Sequence, residues 1–225
     1  MTDALQGTSE PDLMRQEREI ARRHIGKFPW LSVTWAFVNL AVWLSLWPLV
    51  LTGTLSVWIA FPIATLNVML CYLPSHEAQH DSVARLTHLE HHKHTNVPDL
   101  DPDYGTHASG PLAAIWNSLQ ARQPGVQNAY GETLQRIGRP DVMLDAALAT
   151  LAYYTILFVL AWSGYAIEAT LLWWLPRHIG QTYIVYYLSW APHHPAKETG
   201  RYRNTRGFRA AFGNIASMGM QYHIV

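Results

Sequence analysis

No Asp, Glu, Lys or Arg occurs between residues 28 and 75, nor between residues 146 and 167. Helices of soluble domains keep a charged face toward water, so uncharged runs of this length argue against an ordinary soluble fold. Cysteine is scarce: Cys71 stands alone, which excludes an intrachain disulfide and leaves a small packing residue inside an apolar run. Net charge is lacking too, since 16 basic side chains balance 16 acidic ones. Nothing in that balance calls for nucleic acid or an acidic partner. Internal repeats and low-complexity tracts are absent, and residues 1–225 read as one domain.

About 20 apolar residues are needed to cross a hydrocarbon core of about 30 Å. Residues 28–75 therefore read as a helical hairpin of two spans, broken near Thr52-Gly53-Thr54. A third span is expected over 143–163 and a fourth over 165–190, the latter interrupted by Glu168, Pro176 and Arg177. A buried bundle core in a soluble protein is the competing reading. Tryptophans at 30, 35, 43, 47, 58, 162, 173, 174 and 190 lie in or at the ends of these runs, as interfacial anchors do. Fifteen of the sixteen Lys and Arg residues fall before residue 28, between 85 and 139, or after 196, with Arg177 the exception. Four spans put those three segments on one side, and the positive-inside rule makes that side cytoplasmic, with both termini. The expected division is a juxtamembrane segment 1–27, a hairpin 28–75, a cytoplasmic histidine-rich region 76–140, a second hairpin 141–190 and a cytoplasmic C-terminal region 191–225. The fold class is thus an all-α membrane protein of about four transmembrane helices with a cytoplasmic histidine-rich cap.

The first 27 residues carry Arg15, Arg18, Arg22, Arg23 and Lys27 without a short apolar core and cleavage site, so a secretory signal is not expected. Ser9, Pro11 and Asp12 mark a helix start. Leu13, Met14, Ile20 and Ile25 among charges fit a helix lying on a membrane surface.

Six of twelve histidines lie between residues 76 and 94. In HEAQH, His76 and His80 are four apart and share a face if the second span stays helical past Pro74. In HLEHHKH, His88 shares a face with either His91 or His92, and neighbouring histidines diverge by about 100°. Such a set can reach two metals. His94 falls off the main face, and His24, His107 and His178 read as a juxtamembrane cation, a loop residue and a hydrogen-bonded residue beside Arg177. HEAQH also satisfies H-E-x-x-H, in which two histidines hold zinc and Glu77 is the general base, with Asp99, Asp101 or Asp103 as a distant third ligand. That protease reading leaves His88, His91, His92, His193, His194 and His223 without a task. A metal-binding or transport protein is the third alternative, although transporters place their ligands near the bilayer midplane.

HEAQHD, HLEHHKHTNVPDLDPD and the terminal QYHIV together resemble the membrane fatty-acid desaturase superfamily, which includes carotenoid hydroxylases and ketolases, over most of the chain. The resemblance implies two irons held by histidine boxes at the cytoplasmic ends of four helices, with His76 and His80 as the first box and His88, His91 and His92 as the second. WAPHHP followed by GRYRNTR looks like the carotenoid-modifying branch and implies His193 or His194 as an additional ligand. His223 is what QYHIV supplies of the third box before the chain stops at Val225. The family further implies O2 as co-substrate, a lipid or carotenoid substrate, and a ferredoxin or cytochrome-type electron donor. Glu77, Glu90, Asp101 and Asp103 are candidates to accept hydrogen bonds from the ligating rings, and Asp101-Pro102-Asp103 reads equally as a turn. Only seven residues separate His80 from His88, where the family has a few dozen. Seven residues reach at most about 25 Å, which lets the boxes meet but leaves no room for a surface helix. Either the chain is an internally deleted and truncated relative, or residues are missing there, in which case a broken peptide bond between Asp81 and Thr87 is expected.

Overall fold

The computed structural model describes residues 10–23, 28, 30–71, 85–104, 108–122, 129–194 and 205. His76, Glu77, His80 and His223 lie outside them, as does the junction 72–84. Every regular element among the described residues is helical.

Helix α1 (Glu10–Arg22) starts where Pro11 and Asp12 foretell, and next to its end Arg23 reaches back one turn to Glu19, Nη2 to Oε1 at 3.2 Å. Helices α2 (Trp30–Leu51) and α3 (Val57–Leu70) form the first hairpin. Thr52 closes α2 by donating both its N–H and its hydroxyl to the Pro48 carbonyl, at 2.9 and 2.7 Å. Gly53 then takes φ +73°, the left-handed geometry that ends helices most cheaply with glycine. On α3, Ala60, Ala64 and Asn67 recur at i, i+4 and i+7 and form its buried face. Ala60 and Ala64 pack with Leu46 and Leu172 as the core of the bundle. Small residues let helix backbones approach where lipid offers no hydrophobic drive. The buried Asn67 amide donates to the Asn39 carbonyl at 3.1 Å. With the Asn39 amide oriented to suit its neighbours, it donates to Asn67 Oδ1 at 3.1 Å and accepts from Cys71 N at 3.1 Å.

Two helical stretches, Trp30–Leu51 and Asp141–Val185, are long and apolar enough to cross a membrane. Only 11% and 6% of their apolar windows are buried. A soluble bundle core would be mostly buried, whereas here Leu31 is 78% and Trp162 82% exposed. The second stretch is not one rod. After α7 (Pro140–Leu160), a wide turn (Ala161–Tyr165) contains Gly164 at φ +95°, and the chain doubles back. Tyr153, eleven residues before Gly164, meets Trp173 at 5.2 Å between ring centroids and carries the Arg177 guanidinium 4.4 Å above its ring. The return consists of α8 (Ala166–Ala169), a wide turn (Thr170–Trp174), α9 (Leu175–Val185) and another wide turn (Tyr186–Trp190).

Pro176 does not interrupt this helical path. A proline has no N–H, so the helix around it has one backbone donor fewer, and the wide turn before it bonds Leu175 N to Thr170 O, five residues back. Trp43 of α2 donates its indole N–H to the Leu172 carbonyl in that turn at 3.0 Å. Helix α9 lies closely on α3: a Cβ on Gly180 would stand 2.4 Å from Val68 Cγ1.

The residues between the hairpins include α4 (Arg85–His94), α5 (Pro111–Gln120) and α6 (Ala129–Arg136). Helix α4 rests on α6, which rests on α7. Helix α5 runs antiparallel to α9: Ala114 is buried with Trp190 and Ala191, while Arg122 reaches His178 and Thr182.

Candidate metal centre

Consecutive helical residues point about 100° apart, and α4 uses that divergence to split its histidines. His88 and His92, one turn apart, bring their Nε2 atoms to 2.9 Å. His91 turns inward, is 4% exposed, and places Nε2 3.3 Å from Nε2 of His193, itself 3% exposed. His193 is delivered by the end of the second hairpin, where the His193 and His194 backbone N–H groups both bond the Trp190 carbonyl, at 3.2 and 2.8 Å. Trp190 is fixed in turn by donating its indole N–H to Ala108 O at 3.0 Å. The sequence left His193 and His194 as equals; the structure brings His193 to His91 and stacks His194 on the Trp190 ring at 4.5 Å.

The loop after α4 fixes the orientation of His91. Thr95 donates its hydroxyl to the His91 carbonyl at 2.6 Å. Asn96 and Asp99 then adopt φ +65° and +64°, values that Asn and Asp tolerate better than most residues. The chain thereby curls back and presents Asp101, whose Oδ1 accepts from His91 Nδ1 at 2.8 Å and from Asp103 N at 2.9 Å. Its Oδ2 accepts from Asn96 N at 2.9 Å. Asp101 is therefore both the turn residue and the partner of an imidazole. Asp103 Oδ2 lies 3.8 Å from His91 Nδ1. Glu90 faces His94 at 3.6 Å and Arg136 at 3.7 Å.

Three supports carried no sequence signal. Tyr130 of α6 donates its hydroxyl to Asp103 Oδ1, and Ser189 donates to Asp103 Oδ2 at 3.5 Å. Arg136 ties down the loop through the carbonyls of Asp99 and Leu100, at 2.8 and 2.9 Å. Each lies far along the chain from the loop it braces, so no local pattern betrays it.

Burial pulls the His91 pKa down, but the charge of Asp103, the hydrogen bond to Asp101 and that group's charge outweigh it and leave the pKa raised. The charge of Asp103, then burial, push the Tyr130 hydroxyl well above its usual value, keeping it a donor.

The donor chemistry fits metal binding. Two imidazoles bound side by side to one ion at about 2.1 Å stand about 3.0–3.4 Å apart. The two facing pairs, at 2.9 and 3.3 Å, lie close to that range. A carboxylate on the far ring nitrogen, as on His91, fixes the tautomer that leaves Nε2 free to ligate. Among the described residues, no group of three or more His, Cys, Asp or Glu side chains converges on one point. Imidazole donors suit iron, copper and zinc alike.

An apolar cavity of ≈ 910 Å³ opens between α5 and the second hairpin, walled by Ile115, Trp174, Leu175, Ile179, Tyr183 and Tyr186. Its Tyr186 end approaches the histidines: Tyr186 stacks on Trp190 at 5.2 Å, and Trp190 on His194. The family model described as fatty acid desaturase matches residues 81–225. No curated protein and no solved structure matches the chain.

Proposed function

The chain belongs to the fatty acid desaturase family, and we propose that it is a membrane di-iron enzyme that uses O2 to desaturate, hydroxylate or ketolate a fatty acyl chain or a carotenoid. The observation that carries this reading is the pair of facing imidazole couples, His88 with His92 and His91 with His193, backed by the buried Asp101. On this proposal His76, His80 and His223 complete the ligand set, and His194 holds the Trp190 ring beside it. Iron bound there supplies the oxidising power that an unactivated C–H bond requires and that acid-base groups lack.

The chain's own residues do the rest. Asp101 holds the His91 ring and its Nδ1 proton, so that Nε2 is presented as a donor pair. Asp103, braced by Tyr130 and Ser189, adds negative charge behind that ring and favours a cation in front of it. The apolar cavity offers a long hydrocarbon substrate a largely non-polar lining. A redox partner of the ferredoxin or cytochrome type delivers two electrons, one at a time, and two protons come from the surrounding water. Desaturation then releases two waters per double bond, and hydroxylation one water per alcohol.

On this proposal the two hairpins, 28–75 and 141–190, make four spans, and the positive-inside rule supports both termini and the histidines on the cytoplasmic side. Metal analysis of protein purified from membranes, together with lipid and carotenoid product analysis, tests the proposal. About two irons per chain and oxidised lipid are expected. One tightly held zinc would favour the protease reading, and weak exchangeable metal with unchanged lipids the transport reading.

A further inference from the structure

We propose that Trp190, Tyr186, Tyr187 and Tyr183 form an electron relay that supplies the metal centre from the protein itself when oxygen has been taken up and no substrate is bound. The rings touch in sequence. His194, next to His193 in the chain, stacks on Trp190 with ring centroids 4.5 Å and planes 24° apart. Trp190 stacks on Tyr186 at 5.2 Å and 22°. Tyr186 meets Tyr187 edge-on at 4.9 Å, and Tyr187 meets Tyr183 at 4.8 Å. Residues 186, 190 and 194 are each four apart, which sets them on one helical face. The wide turn bonding Ala191 N to Tyr186 O at 2.9 Å holds that face where it passes the centre.

Single aromatic pairs of either geometry recur for packing alone. Here four such contacts join end to end, and the ends differ in their surroundings. Trp190 is 7% exposed and accepts the backbone N–H groups of both His193 and His194 on its carbonyl. Tyr183, Tyr186 and Tyr187 are half-buried, and Tyr183 and Tyr186 also wall the cavity. The chain of rings thus leads from the buried centre outward to partly accessible phenols.

Electron counting gives the rings a task, which rests on the oxygen-using reading of the centre. Four electrons and four protons turn O2 into two waters. The redox partner supplies two of those electrons, and in desaturation the substrate supplies the other two with its two hydrogens. Without substrate, two electrons and two protons are missing. An oxidant strong enough to attack an alkyl C–H bond also takes an electron from an indole or a phenol. Trp190 gives one up while its N–H stays on the Ala108 carbonyl at 3.0 Å. Tyr186 then restores Trp190 with an electron and releases its phenolic proton to water, and Tyr187 and Tyr183 restore Tyr186 in turn. Two such losses complete the reduction and leave two phenoxyl radicals in place of oxidised histidines. Electrons arriving from the redox partner cannot use these rings as stepping stones, because such a donor is too weak a reductant to add an electron to an aromatic ring.

The test treats the iron-loaded full chain, substrate-free in detergent, with hydrogen peroxide, which lacks the same two electrons and two protons on its way to two waters. Tyr186→Phe and Tyr165→Phe are compared with the unaltered protein. Phenylalanine keeps the stack on Trp190 but yields no electron, so packing and relay part company in Tyr186→Phe. Tyr165 lies in the turn at Gly164, off the chain of rings. Electron paramagnetic resonance of rapidly frozen samples, with ring-deuterated tyrosine for assignment, should show a tyrosyl radical in the unaltered protein and in Tyr165→Phe. In Tyr186→Phe that signal should be lost, and peptide mass spectrometry should find oxidation at Trp190 and His194 raised several-fold. Absence of a tyrosyl radical from the unaltered protein, or an undiminished one in Tyr186→Phe, overturns the relay. So does loss of the signal in Tyr186→Phe without the rise at Trp190 and His194. Iron content and lipid turnover are read on the same preparations. Turnover without a radical overturns the relay alone, a radical without turnover overturns the lipid-oxidising reading alone, and a chain that holds no iron overturns both.

Discussion

Replacing Asp101 with Asn changes one atom of a buried carboxylate, and the structure fixes what that atom does. Oδ1 serves His91 and the Asp103 N–H, and Oδ2 serves the Asn96 N–H. The least costly arrangement of the new amide keeps its oxygen toward His91, so its NH2 confronts the Asn96 N–H. A buried donor left facing a donor costs about 1–3 kcal/mol, which lowers stability without abolishing the fold. His91 keeps an acceptor, but a neutral one, and hydrogen bonds to charged acceptors are roughly twice as strong. Loss of such a partner weakens metal binding about 10- to 100-fold, which is about 1.4–2.8 kcal/mol. The measurement is iron retention against a graded chelator, alongside thermal unfolding of metal-free protein. Both should fall. Iron retention within about twofold of the unaltered protein, with stability lowered as expected, would refute the reasoning and leave Asp101 as a turn residue alone.

Three further outcomes follow. His193→Ala should release iron far more readily than His194→Ala, because His193 faces His91 while His194 stacks on Trp190; equal losses in the chelator assay would contradict that division. Gly180→Ala forces α9 off α3, since Val68 is stiff and its Cβ stands 2.9 Å from the added methyl; unfolding in detergent should show a loss of about 1–3 kcal/mol, restored in part by Val68→Ala. Trp43→Phe keeps the ring but removes the donor to Leu172 O, and should lower stability by about 0.6–1.7 kcal/mol, read in the same unfolding assay.

The first hairpin was legible because its signals are local. Residues 28–75 lack charge, and Gly53 stands where α2 must stop, so the expected break and the observed turn coincide. The reversal at Gly164 was legible for the same reason, falling between the expected third and fourth spans. Glu168, Pro176 and Arg177 break the apolar run but not the helical path, which continues to Trp190, and the Trp43 indole that meets the Leu172 carbonyl there comes from more than a hundred residues away in sequence. In the histidine region, helical spacing offered His91 or His92 as the mate of His88. The choice of His92 depends on His193 and Asp101 drawing His91 inward, which no periodicity encodes. Tyr130, Ser189 and Arg136 were silent for that reason as well. The antiparallel seat of α5 along α9 was equally hidden, since Gly105, Gly110 and Pro111 break the uncharged stretch 104–121 into pieces shorter than a span.

The indole of Trp43 also bears on how the chain assembles. A helix short of one backbone donor is tolerable while it is still in contact with water, but in hydrocarbon an unmet carbonyl costs several kcal/mol. The second hairpin carries that defect in its own sequence and cannot mend it alone. The first hairpin emerges earlier in synthesis with the remedy already in place. Docking of the two hairpins in register is therefore what brings the Trp43 indole N–H to the Leu172 carbonyl. The same bond that steadies the finished bundle therefore makes the second hairpin depend on the first for one of its polar groups.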